Sequence, residues 1–108
     1  MKTALQILIE GRALISCPDR WTQEALARDI EGEPVHSDDV DAVCFCSRGA
    51  VDQVCRSELL EGSNEDAVLD FLRVQMDGSI EDFNDSRPHA EVLAAWDRAI
   101  AAQPAVSA

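Results

Sequence analysis

The chain has 108 residues, enough for one domain with a modest core, and carries a formal net charge of −12 from 21 acids against 9 bases. That balance excludes a protein that grips a phosphate backbone, because such binding needs clustered Lys and Arg to displace counterions, and Lys2 is the only lysine. Aromatics make up only 5% of the residues against 46% apolar overall, so the core must be aliphatic, with two Trp and three Phe as its large anchors.

The charge leaves a solubilising surface, a halophilic adaptation or a basic partner as explanations. No apolar run nears the roughly 18 residues that cross a bilayer. Gln6, Glu10 and Arg12 interrupt the stretch 4–15, which therefore does not read as an export signal. A cytoplasmic protein with no membrane contact is the expectation.

Thr3 can cap a first helix with Leu5, Leu8, Ile9, Arg12 and Ile15 on one face, and Pro18 stops it. One or two helical turns are expected over 21–29. Gly32 and Pro34 mark a turn or loop running to Asp39, and a short strand or hairpin can form over 28–36. Asp38 or Asp39 can cap a longer helix through Val43, Cys46, Ala50, Val54 and Leu59. Gly49 would cost that helix about 1 kcal/mol and suggests a close helix crossing, and Gly62 would end it.

Ser63 to Asp66 reads as S-x-x-D ahead of Ala67, Val68, Phe71, Leu72 and Met76, a capped helix start. Asp77, Gly78 and Ser79 break that helix, and 80–85 reads as a short acidic turn carrying Phe83. Pro88 is placed as a first helical residue before Val92, Leu93, Trp96, Ala99 and Ile100. The fold class expected is a mainly α bundle of four main helices, with a loop-rich segment between the first and second. Residues 1–102 form one domain and 103–108 a tail.

Cys17, Cys44, Cys46 and Cys55 lack paired ligand spacing, so free thiols packed as small hydrophobes are expected, with no metal and no cofactor. A Cys-dependent hydrolase is the enzymatic alternative. It would use Cys46 as nucleophile and His89 as base, with Asn84 or Asp85 orienting the imidazole.

The strongest feature is charge: 58–85 holds nine acids against the single base Arg73, a net of −8. Glu58, Glu61, Glu65, Asp66, Asp70, Asp77, Glu81, Asp82 and Asp85 are the candidate partner-binding residues. A surface of that density steers basic partners and carries the sign of a nucleic-acid backbone.

The segments Ala25-Leu26-Ala27-Arg28-Asp29, Gly32, Val35, Ala42-Val43, Phe45-Cys46 and Gly49-Ala50, then Phe83-Asn84-Asp85, Glu91-Val92-Leu93 and Asp97-Arg98-Ala99-Ile100, together resemble an uncharacterised family of small bacterial and phage proteins. The resemblance covers about residues 4–102. Phe45 stands where that family usually has Trp, and Ser47 is the small residue after the cysteine. It implies an intracellular helical domain with a link to phages or mobile elements, and it carries over no catalytic residue.

The function expected is a non-enzymatic acidic module, monomeric or homodimeric, that docks on a basic protein surface. Its sharper form is an anti-CRISPR-like inhibitor seated on a nucleic-acid-binding complex without touching nucleic acid itself. The alternatives are the Cys-dependent hydrolase and a regulatory homo-oligomer.

Overall fold

A computed structural model describes residues 2–56 and 64–103. Among the described residues, five α-helices and a small sheet form in the order α1 (Ala4–Leu14), a 3-10 turn (Pro18–Arg20), β1 (Ala27–Arg28), β2 (Pro34–Val35), β3 (Cys44–Phe45), α2 (Ser47–Cys55), α3 (Glu65–Gln75), α4 (Ile80–Ser86) and α5 (His89–Ala101). The mainly helical reading holds. The count of four helices does not, and a three-stranded sheet is added.

Thr3 and Gln6 form a reciprocal capping box at the start of α1, with Thr3 Oγ1 accepting from the Gln6 N–H at 3.1 Å and Gln6 Oε1 accepting from the Thr3 N–H at 2.8 Å. The helix buries Ile7, Leu8 and Gly11, with Ile15 following, whereas Ile9 is 49% exposed. The face is therefore rotated from the expected stripe. Gly11 explains part of that rotation: a Cβ there would lie 2.8 Å from the Trp96 ring, so the glycine admits the indole of α5 against α1.

The stretch 21–45 departs most from expectation. No helix forms over 21–29; the 3-10 turn over 18–20 gives way to a bent segment, with Glu24 at positive φ, and then β1. The expected hairpin is present, with Ala27 opposite Val35 and Arg28 opposite Pro34. Gly32, at φ +82°, supplies the turn. β3 pairs on the other side of β1, giving the order β2-β1-β3, antiparallel throughout.

The helix expected from Asp38 or Asp39 thus begins only at Ser47. Val43 is β-branched and Phe45 aromatic, and the backbone here is held by β1 and the residue before it, with the Val43 N–H on Arg28 O at 2.9 Å and the Cys46 N–H on Leu26 O at 3.1 Å. Tertiary pairing overrides the helical spacing. Gly49 marks a close approach, but to backbone and not to another helix: a Cβ there would collide with the Leu26 carbonyl oxygen.

α3 starts after Asn64; Ser63, Leu59 and Gly62 lie outside the described residues. Its buried face is Val68, Leu69 and Leu72, with Met76 following, so Leu69 belongs to the core that the sequence stripe passed over. Residues 80–86 are a helix and not a turn. Asp77 and Gly78 both take positive φ and end α3, then Ser79 Oγ accepts from the Asp82 N–H at 3.2 Å and starts α4. Pro88 is the N-cap of α5 and not its first residue, so the helix starts one position later than expected.

α1, α2, α3 and α5 enclose one core of aliphatics around the fully buried Trp96. The sheet and α4 close one end of it. No helix among the described residues is long and apolar enough to cross a membrane.

Candidate functional site

The most connected polar group in the interior is Asn84, on α4 and fully buried. Its Oδ1 accepts from Trp21 Nε1 at 2.8 Å, the Ser47 N–H at 3.0 Å and Ser47 Oγ at 2.9 Å. Its Nδ2 donates to Thr22 O at 3.0 Å and Asp85 Oδ1 at 3.3 Å. Ser47 Oγ in turn accepts from Trp96 Nε1 at 3.1 Å. Every donor and acceptor of this amide is used in joining α2, α4 and the chain before β1. The small residue at position 47 is therefore explained by a hydroxyl that fits between an indole and an amide. Asn84 orients Ser47 and Trp21, and no catalytic base.

Cys46 is the N-cap of α2, its Sγ accepting from the Gly49 N–H at 3.3 Å, and it is 4% exposed. Burial pushes its thiol above the ordinary value. The Gly49 and Arg48 N–H groups pull the other way, and the Asp85 and Glu81 carboxylates raise it further. Cys46 shares a small cavity of about 200 Å³ with Glu24, Leu26, Glu81 and Asp85. Asp85 Oδ1 is occupied by the Glu24 N–H at 2.8 Å, which holds Glu24 at φ +64°.

His89 is engaged elsewhere. Its Nε2 lies 2.7 Å from Ile15 O, so that nitrogen carries the proton, and its ring rests on Trp21 with centroids 5.1 Å apart. Cys46 and Asp85 thus line one cavity, while His89 is bound to the end of α1.

The acidic residues divide into three groups. Glu58 and Glu61 lie outside the described residues. Asp70 pairs with Arg73 at 3.0 Å and Asp77 with Arg87 at 3.2 Å, while Asp66 and Asp82 are exposed. Glu65 and Glu81 both reach α2: Arg48 Nη1 lies 3.9 Å from Glu81, Arg48 Nε lies 3.4 Å from Asp52, and Asp52 meets Glu65.

Burial raises the Glu65 carboxyl above its ordinary value, the hydrogen bond and charge of Asp52 add to this, Arg48 opposes it, and Asp66 raises it further. Ser37 Oγ donates to the other Asp52 oxygen at 3.4 Å. Asp52 and Glu65 open on a cleft of about 440 Å³ with His36, Asp38 and Arg56. Sequence reading passed over Asp52. The signal was its i,i+4 spacing from Arg48, which the expected helix already contained.

All four cysteines are free thiols. Among the described residues no three His, Cys, Asp or Glu side chains converge in a way that could hold a metal ion.

Comparison with known proteins places the chain in a family. The model of the Family of unknown function (DUF6197) matches residues 1–102, and the chain belongs to that family. No curated protein and no solved structure matches.

Proposed function

We propose that this member of DUF6197 is a non-enzymatic acidic module that docks on the basic surface of a partner protein. The observation that supports this reading most is how the charges are distributed. Five of the nine cations are drawn into ion pairs within the molecule: Lys2 with Glu10, Arg12 with Asp97, Arg48 with Asp52, Arg73 with Asp70 and Arg87 with Asp77. Arg28 spends its guanidinium on Thr22 Oγ1 and the Gln23 and Gly32 carbonyls. Glu31, Asp41, Asp66 and Asp82 stay exposed. A net charge of −12 then projects a field that accelerates encounter with basic partners.

The interior supports the same reading. Asn84, Ser47 and the two indole N–H groups are bound to one another at the junction, and burial raises the Cys46 thiol above its ordinary value. The sharper form is a phage-type, anti-CRISPR-like inhibitor whose acids occupy a groove that otherwise holds nucleic acid. The test uses tagged wild type and an Asp66→Asn/Asp82→Asn/Glu31→Gln/Asp41→Asn variant for quantitative capture from host extract at low and high salt. The reading expects basic proteins to be retained by wild type at low salt and lost in the variant and at high salt. It also expects a captured nucleic-acid binder to release its nucleic acid in a competition gel. Equal retention by both proteins at both salt concentrations overturns it.

A further inference from the structure

Two turns in the sheet region are built alike. In Asp29-Ile30-Glu31-Gly32, Asp29 O accepts from the Gly32 N–H at 3.0 Å and Asp29 Oδ1 from the Glu31 N–H at 2.9 Å. In Asp39-Val40-Asp41-Ala42, Asp39 O accepts from the Ala42 N–H at 3.1 Å and Asp39 Oδ1 from the Asp41 N–H at 2.8 Å. In each, the first aspartate closes the turn, a β-branched aliphatic follows, and an acid comes next. Those aliphatics are the most exposed large hydrophobics described, Ile30 at 86% and Val40 at 91%. Nothing in turn formation asks for them, because such positions favour residues that fix the turn backbone or bond to it.

The turns also hang from one end of the sheet. The first follows β1 directly. The second leads into β3, whose Cys44 pairs with Arg28 while the Val43 N–H bonds Arg28 O at 2.9 Å. Neighbouring strands lie about 4.8 Å apart, so the turn bases sit side by side, and Val43, 43% exposed, follows the second turn directly. The surrounding sequence 29–41 has six acids and no Lys or Arg. One guanidinium, that of Arg28, lies against the first turn through Gly32 O at 3.0 Å, whereas on the 65–85 surface Arg73 and the neighbouring Arg87 pair directly with Asp70 and Asp77.

We propose that Ile30 and Val40 are paired apolar anchors of a docking surface, and that its occupant is a partner protein face on which apolar sockets are rimmed by Lys and Arg. The acids of both turns supply complementary charge around the anchors, and the same charge repels an anionic lipid surface. This inference rests on the preceding reading that the partner is basic, and adds where and through which side chains it is held.

The experiment is an amide-resolved NMR titration of the full chain with two synthetic probes, an oligolysine and an alternating Lys/Leu peptide of equal charge. The Lys/Leu peptide should bind about 10-fold or more tighter and shift the amides of 29–32 and 39–43, the gain expected from burying two aliphatic side chains. Ile30→Ser/Val40→Ser, whose changes are at exposed positions, should retain the wild-type melting temperature and erase that preference. An undiminished preference in this variant, or shifts confined to 65–85, overturns the anchor assignment while leaving the basic-partner reading standing. Failure of both peptides to bind at low salt overturns the basic-partner reading itself.

Discussion

Replacing Asn84 with alanine removes the acceptor shared by Trp21, the Ser47 N–H and the Ser47 hydroxyl. Ser47 is fully buried, so water does not reach its stranded N–H, whereas the half-buried Trp21 can recover part of its bond from solvent. A buried donor left without a partner costs about 1–3 kcal/mol. Two such donors, plus the vacated amide volume, put the loss at about 3–5 kcal/mol. Against a total stability of about 5–15 kcal/mol this takes a large share, and at about 4 °C or more per kcal/mol it lowers the melting temperature by at least about 12 °C.

Urea unfolding followed by tryptophan fluorescence measures it directly, since both tryptophans report on the junction. Asn84→Asp is the informative companion. It keeps the acceptor but sets a carboxylate against Thr22 O and Asp85, so its defect should shrink as pH falls and the new carboxyl takes up a proton. A loss below about 1 kcal/mol for the alanine variant would show that the junction does not hold α2 to α4, and would refute the reasoning.

Gly49→Ala should destabilise by about 1–3 kcal/mol or more, because the clash is with the backbone oxygen of Leu26 and no rotamer relieves it; a wild-type melting curve would contradict the close approach. For Glu65 the native carboxyl titrates above its unfolded value, so the native state binds more protons across that window. Its contribution is most favourable below the unfolded value near 4.5 and is lost as pH rises through the raised one. Glu65→Gln should therefore raise the melting temperature at neutral pH, with the difference vanishing in acid, and a destabilised variant at pH 7 would contradict this. With a thiol reagent such as DTNB, exposed Cys17 should react at once, while Cys46 and Cys55 should react only on unfolding. Rapid labelling of native Cys46 would reopen the hydrolase reading.

What was legible in the sequence was what local chemistry decides. Thr3, Asp77-Gly78 and Pro88 marked helix ends, and Gly32 and Pro34 marked the turn of what could be a short strand or hairpin over 28–36; the reciprocal role of Gln6 was missed. What was not legible depended on contacts between segments distant in sequence. Val43 to Cys46 carries helical spacing but is captured by β1, and Gly49 is required by the distant Leu26 carbonyl. The candidate site shows the same division. Net charge and the Cys46 thiol could be read directly, yet the tying of Glu65 to Asp52 and of His89 to Ile15 O needed the fold. Ile30 and Val40 passed unnoticed because two exposed aliphatics among acids leave no periodic trace.

The central claim, a charge-driven contact with a basic partner, is tested most directly by the ionic-strength dependence of the dissociation constant, using the wild-type chain and a purified captured partner. As salt rises from about 0.05 M to about 0.5 M the screening length falls to a few Å. The account predicts that affinity weakens at least about 10-fold and that the Asp66, Asp82, Glu31 and Asp41 neutral variant flattens the dependence. An affinity unchanged across that range, and equal in the two proteins, would contradict it and leave the acids as a solubilising surface.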